Sequence, residues 1–135
     1  MVYWGIGSVP ESHHSRLANL YLDLGKWKNC INHCKKYLEY RENDQYQAVL
    51  AYCYGNLGNW TEAVKVYRRI SNPYDQPAIA LGLAEAELNA GNLERAKEIV
   101  AVVEVSHDRP SYATKGSLEF LNERIREIQE RGQDV

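Results

Sequence analysis

The sequence of 135 residues is short of several things, and each shortage excludes a class of protein. It has three Cys, an odd number and too few for a disulfide scaffold, so a reducing compartment is expected. No stretch approaches the roughly 18 consecutive apolar residues of a membrane span, and none is expected. The opening residues Met1 to Ser8 have neither a basic region nor a sustained apolar run. That is unlike a secretory signal, and the expected location is cytoplasmic. Positive charge is not in excess: 16 Lys and Arg stand against 18 Asp and Glu, a net charge of −2. A broadly cationic nucleic-acid binder is thereby excluded. Phe and Met occur once each, yet there are ten Tyr and three Trp.

Catalytic signatures are also wanting. Gly5-Ile6-Gly7 is too short for a phosphate-binding loop and precedes no strand pattern, and no Ser sits in a nucleophile elbow. Glu94, Glu98, Glu119, Glu123 and Glu127 read as solvated helix faces. No enzyme activity and no cofactor are expected. What remains is the composition of a soluble globular chain, 44% hydrophobic and 25% charged, at the length of one domain.

The sequence does repeat itself. Gly25, Gly58 and Gly91 stand at two intervals of 33 residues. Each is preceded by a Leu-Ala pair: Leu17-Ala18, Leu50-Ala51 and Leu83-Ala84. Two residues after each glycine comes a large apolar side chain (Trp27, Trp60, Leu93). A small one follows five residues after it (Cys30, Ala63, Ala96), and a further packing residue nine after it (Cys34, Tyr67, Val100). Four before the glycine the series reads Tyr21, Tyr54, Glu87, so the third copy departs there. Apolar residues on either side of each glycine recur at helical spacing. The glycine sits where a helix must end in a left-handed residue. Asn59 and Asn92 follow as N-cap residues, with Glu62 three after Asn59. The unit is therefore a helical hairpin. Helices are predicted near 12–24, 27–40, 44–57, 60–71, 76–90 and 93–105. A final helix within 111–131 carries Leu118, Leu121, Ile125 and Ile128 as one stripe.

This pattern resembles the tetratricopeptide repeat, whose signature runs W-x2-L-G-x2-Y, A-x3-F, P. The resemblance covers about residues 11 to 106. It is carried by Leu17, Ala18 and Tyr21, by Leu50, Ala51, Tyr54, Ala63 and Tyr67, and by Leu83, Ala84 and Ala96. The signature Trp is replaced by His14, Gln47 and Ala80, and each interval is one residue short. The resemblance implies an all-α fold, a right-handed α-solenoid of three antiparallel helix hairpins with a C-terminal capping helix. Residues 1–10 would form an N-terminal extension. The repeats would span about 11–43, 44–76 and 77–109, and 111–135 would hold the cap and tail.

The resemblance also implies a function, a non-enzymatic module binding a partner protein along the first helices of the hairpins. The groove-facing residues would be Ser15, Asn19 and Leu22, then Ala48, Val49, Tyr52 and Asn56, then Leu81, Glu85, Leu88 and Asn89. Relatives that hold the C-terminal carboxylate of chaperones present two Lys, two Asn and an Arg. The matching positions here are Ser15, Asn19, Val49, Ala78 and Gly82, of which Asn19 alone fits. An adaptor or small chaperone taking an apolar helix or extended segment is expected instead. Gly55 and Gly82 would let a ligand backbone approach. The competing class is a self-assembling scaffold, a homo-oligomer formed by head-to-tail or terminal-helix contacts. In that case Tyr3, Trp4 and Ile6 or the Leu118/Ile125 stripe would dock onto a neighbour.

Two further groupings have bland and sharp readings. Cys30, His33 and Cys34, with Cys53, offer metal-ligand types. Cys30 and Cys34 nevertheless stand in packing columns, and packing rather than metal binding is expected, as it is for His14, Trp27 and Trp60. Lys26, Lys28, Lys35, Lys36 and Arg41 crowd one helix and the turn before it. That run is short and reads as a solvated face, so no nucleic-acid partner is expected.

Overall fold

The computed structural model describes residues 10–106 and 110–133. The expectations placed on Tyr3, Trp4 and Ile6 lie outside these residues. The described residues form seven α-helices: α1 (Pro10–Asp23), α2 (Trp27–Tyr40), α3 (Asp44–Asn56), α4 (Trp60–Tyr67), α5 (Pro77–Asn89), α6 (Leu93–Ser106) and α7 (Tyr112–Gln133). A 3-10 turn, Pro73–Asp75, precedes α5. Pro10, assigned by sequence to the extension, already opens α1.

The chain divides into two compact units, Met1–Ser71 and Asn72–Val135. In the first, α1 pairs with α2, α3 pairs with α4, and α2 packs on α3. In the second, α5 pairs with α6, while α7 packs on both and the 3-10 turn packs on α5. The division falls after Ser71, within the span of about 44–76 expected for the second repeat.

The three hairpin turns are closed in one way. Gly25, Gly58 and Gly91 have φ of 69°, 79° and 92°. The amide after each glycine donates to the carbonyl five residues back: Lys26 to Tyr21 (2.9 Å), Asn59 to Tyr54 (2.9 Å), Asn92 to Glu87 (2.8 Å). The glycine amide itself donates three residues back, to Leu22, Gly55 and Leu88. These paired bonds satisfy carbonyls that a helix end would otherwise leave orphaned.

The starts are less uniform. Asn59 Oδ1 accepts from the Glu62 amide at 3.4 Å, as the capping pattern predicts. Asn43, which the repeat arithmetic did not mark, caps α3 by accepting from the Tyr46 amide at 3.1 Å. The Asn92 side chain instead donates to Glu87 Oε1 at 2.8 Å. Ser111 Oγ accepts from the Thr114 amide, which places the start of α7 ahead of Gly116.

The fourth helix stops at Tyr67, short of the predicted 71. Its last turn tightens, with Arg69 and Ile70 donating three residues back to Val66 and Tyr67. Pro73 lies just beyond and disfavours helical backbone at Asn72. Ile70 is still buried, so the tightened turn keeps its side chain in the core.

The matched columns form that core. Ala18, Cys30, Ala63, Ala84 and Ala96 are fully buried, with Ala51 almost so; these small side chains stand where paired helices press closest. Leu50 and Leu83 fill the larger column, each contributing about 2–3 kcal/mol by burial. In α7, Leu121 and Ile125 are buried while Leu118 and Ile128 are half-buried, so the predicted stripe faces inward.

Candidate functional site

The first helices α1 and α3 of the first unit carry seven of the residues assigned to a binding face. Ser15, Leu22, Ala48 and Val49 are half-buried, and Asn19 and Asn56 are exposed. Tyr52 is 51% exposed, a large apolar side chain left in solvent. Its ring stands edge-on to Trp27, centroids 5.8 Å apart at 82°, so Trp27 props it from the start of α2. Asn56, one turn further along α3, donates to the Tyr52 carbonyl at 2.9 Å.

The two helices are joined across the face. Asn19 Nδ2 on α1 donates to the Tyr46 hydroxyl on α3 at 3.2 Å. Tyr46 in turn lies against the buried Tyr37 of α2, ring centroids 4.3 Å apart. Asn19 is therefore held by a partner that the groove register did not include. A tyrosine at the start of α3 with an exposed amide 27 residues earlier is a signal visible only once α1 and α3 are side by side.

In the second unit the outcome differs. Glu85 and Asn89 are half-buried on α5, but Leu81 and Leu88 are buried, which corrects their assignment as groove-facing. The reason is the surroundings of α5. It packs against α6, α7 and the 3-10 turn, and Ile79, Ala80, Leu81, Leu83, Ala84, Ala86, Glu87 and Leu88 are all buried, leaving it little outward side. Gly55 is likewise no approach point for a ligand. It is buried, and a Cβ there would meet Trp60 Cζ3 at 2.6 Å, so the glycine exists to seat the indole of its own hairpin.

The cysteine grouping is core. Cys30, Cys34 and Cys53 are free and fully buried. Cys30 Sγ donates to the Ala18 carbonyl at 3.2 Å and lies 3.9 Å from Cys34 Sγ. Hydrogen bonding to Cys30, followed by burial, pushes the Cys34 and Cys53 thiols above their ordinary range. Among the described residues no group of three or more His, Cys, Asp or Glu is placed to hold a metal ion.

Sequence reasoning missed two polar clusters. His14 and His33 do not stand apart: their Nδ1 atoms are 2.9 Å apart and their rings are stacked at 5.1 Å, with Tyr21 stacked on His33 at 5.6 Å. Burial lowers both imidazoles below the usual histidine range, His14 further through Lys36 and His33 further through His14. Glu87 is 0% exposed, accepting from Asn92 with Arg95 Nε 3.9 Å away. The departure of the third repeat from Tyr at that column was the only hint of it.

Comparison with known proteins agrees with this architecture. The tetratricopeptide repeat family matches residues 50–74, which span α3 from Leu50, the Gly58 turn, α4 and the 3-10 turn to Tyr74. Among solved structures, yeast Tom70 is similar in fold, with a TM-score of 0.71 over 93% of this chain at 17% identity. The chain spans 26% of the length of that Tom70 chain. Comparison with curated proteins gave no match. The described residues thus form paired helical hairpins in a fold like that of Tom70, and residues 50–74 match the tetratricopeptide repeat. Among the described residues no helix is long and apolar enough to cross a membrane.

Proposed function

We propose that this chain is a non-enzymatic adaptor or small chaperone whose α1–α3 face binds an apolar segment of a protein partner. The observation that carries this reading is Tyr52, half in solvent yet held edge-on by Trp27, with the exposed amides of Asn19 and Asn56 on the same pair of helices. A rigid aromatic gives contact area at small entropic cost, and neighbouring amides hydrogen-bond a ligand backbone. Charge supports the choice of ligand: of the five positions that a carboxylate clamp would use, Asn19 alone has a suitable side chain. An apolar anchor on the partner is the better complement. The three free thiols fit a reducing compartment such as the cytoplasm.

The test is selection of peptides from a displayed random library on the purified chain, followed by fluorescence anisotropy with the winners. Peptides with apolar anchors are expected, and Tyr52→Glu should weaken them about tenfold or more. Asn56→Ala should weaken them less. Helicity should be unchanged, because Tyr52 is exposed. Undiminished binding to Tyr52→Glu would remove the face from consideration. Leu81, being buried, is unsuitable as a second probe.

A further inference from the structure

The period of 33 residues makes equivalent positions of the three hairpins comparable. One period after His14 on α1 and His33 on α2 stand Gln47 and Val66, and two periods after them Ala80 and Ile99. Val66, Ala80 and Ile99 are at most 2% exposed, so the later hairpins use these positions as core. The first hairpin places an imidazole at each, and both rings are half-buried, within reach of solvent. Hairpin packing does not require nitrogen there, and a polar pair costs stability where an apolar pair would not. The two histidines are therefore fitted for something besides closing the hairpin.

Their spacing suits a metal ion. His14 Nδ1 and His33 Nδ1 are 2.9 Å apart. Two imidazole nitrogens bound at about 2.0–2.1 Å and at a right angle are about 2.8–3.0 Å apart, whereas tetrahedral ligation holds them at about 3.3–3.4 Å. The separation is that of adjacent ligands on a square-planar or octahedral ion, the geometries of Cu(II) and Ni(II). The ion takes the place of the hydrogen between the rings. The donating ring then carries its hydrogen on Nε2, as the accepting ring already does, so no net proton leaves. Each ring turns by about 45° to aim its Nδ1 lone pair at the ion, a swing about side-chain torsions that a half-buried residue can make. Exposed Lys36 and Glu39 bring opposite charges toward His14, so neither sign prevails there. Among the described residues no group of three His, Cys, Asp or Glu is placed for a metal, so the pair supplies two ligands and water the rest.

We propose that His14 and His33 form a two-histidine site for a divalent late transition-metal ion, Ni(II) or Cu(II), which clips α1 to α2. The ligands come from two helices, so the bound ion ties the first hairpin together and stabilises it by mass action.

Calorimetric titration of the full chain, without an affinity tag, with Ni(II) chloride tests it; Ni(II) leaves the three thiols unoxidised. One Ni(II) per chain should bind and raise the thermal midpoint by a few degrees. His14→Gln and His33→Gln should each weaken binding about tenfold or more, while His13→Gln should leave it within about twofold. A double variant, His14→Ala with His33→Ile, carries the residues of the third hairpin. It should fold, as circular dichroism reads, and be at least as stable as the wild type without metal, yet gain nothing from Ni(II). Binding that survives His33→Gln overturns the proposal, the ion then resting on the adjacent His13 and His14. So does Ni(II) stabilisation of the double variant equal to that of the wild type. A wild type whose melting is unmoved by about 1 mM Ni(II) overturns it as well.

Discussion

His14 Nδ1 on α1 and His33 Nδ1 on α2 face each other at 2.9 Å, and one of them must donate while the other accepts. The bond tolerates a shared proton but not a proton on both nitrogens. Lys36 lies close enough to disfavour the charged form of each ring, as does His13, while Glu39 favours charge on His14 and Cys30 on His33. Both imidazoles are thus lowered in the folded state, with burial as the leading cause. Unfolded histidine titrates near 6.5, so below that value the unfolded chain takes up more protons. The stability that the pair contributes is present above about pH 6.5 and is lost as pH falls through the folded values. Urea midpoints at about pH 7.5 and about pH 5 should therefore separate for the wild type. The gap should narrow in His33→Gln.

Gly55 and Gly58 are three residues apart and should respond to alanine for different reasons. At Gly58 a Cβ meets nothing within 4 Å, and the cost is the backbone alone, φ of 79°, about 1–2 kcal/mol. At Gly55, inside α3, alanine is intrinsically preferred by about 1 kcal/mol. The Trp60 ring 2.6 Å from that Cβ reverses the sign, and a net loss of about 1–3 kcal/mol is expected. Repeating Gly55→Ala in a Trp60→Leu background should abolish the loss, and denaturant titration reads all three.

Gln47 stands where the repeat signature has Trp, and its Oε1 is buried with no hydrogen-bond partner. Removing an unsatisfied buried carbonyl gains about 1–3 kcal/mol. Gln47→Leu should raise the denaturation midpoint by an amount in that range, while Gln47→Glu should lower it.

Glu87 accepts a short hydrogen bond from Asn92. The Arg95 guanidinium is 3.9 Å away and its side chain is 44% exposed, so the ion pair adds little, whereas the Asn92 bond is short and its acceptor fully buried. Glu87→Gln, which can still accept from Asn92, should cost less than Glu87→Ala. For the latter about 2 kcal/mol is expected, from the lost bond and the cavity left behind. Thermal unfolding of the two variants side by side decides it.

The hairpins were legible because their determinants are local. A glycine at φ near 80°, a Leu-Ala pair ahead of it and a small residue behind it fix helix, turn and helix within about 20 residues, and the turn positions agree with the sequence arithmetic. Where α4 ends was less legible, since the turn at Arg69 and Ile70 balances the pull of Pro73 against the burial of Ile70. The exposure of α5 was not legible at all. Leu81 and Leu88 stand relative to their turn where the half-buried Ser15 and Leu22 stand in the first hairpin, but the third first-helix packs against three elements, and burial is a property of neighbours. The His14–His33 bond and the Asn19–Tyr46 bond escaped for the same reason, because each joins residues on different helices. Gly55 illustrates the converse: its partner was only five residues away, yet a glycine announces free space without saying which side chain takes it.

The closures at Gly25, Gly58 and Gly91 have a temporal consequence. Each bend is specified by hydrogen bonds between residues no more than five apart, so its instructions leave the ribosome together. A chain of such bends has low contact order, with little loop-closure entropy to overcome before its first contacts form. At synthesis rates of about 5–20 residues per second, a hairpin of 33 residues has seconds in which to fold before the next is complete. Helix formation and hairpin docking need microseconds to milliseconds. Gly58→Ala should then delay the second hairpin during synthesis while the first assembles on time.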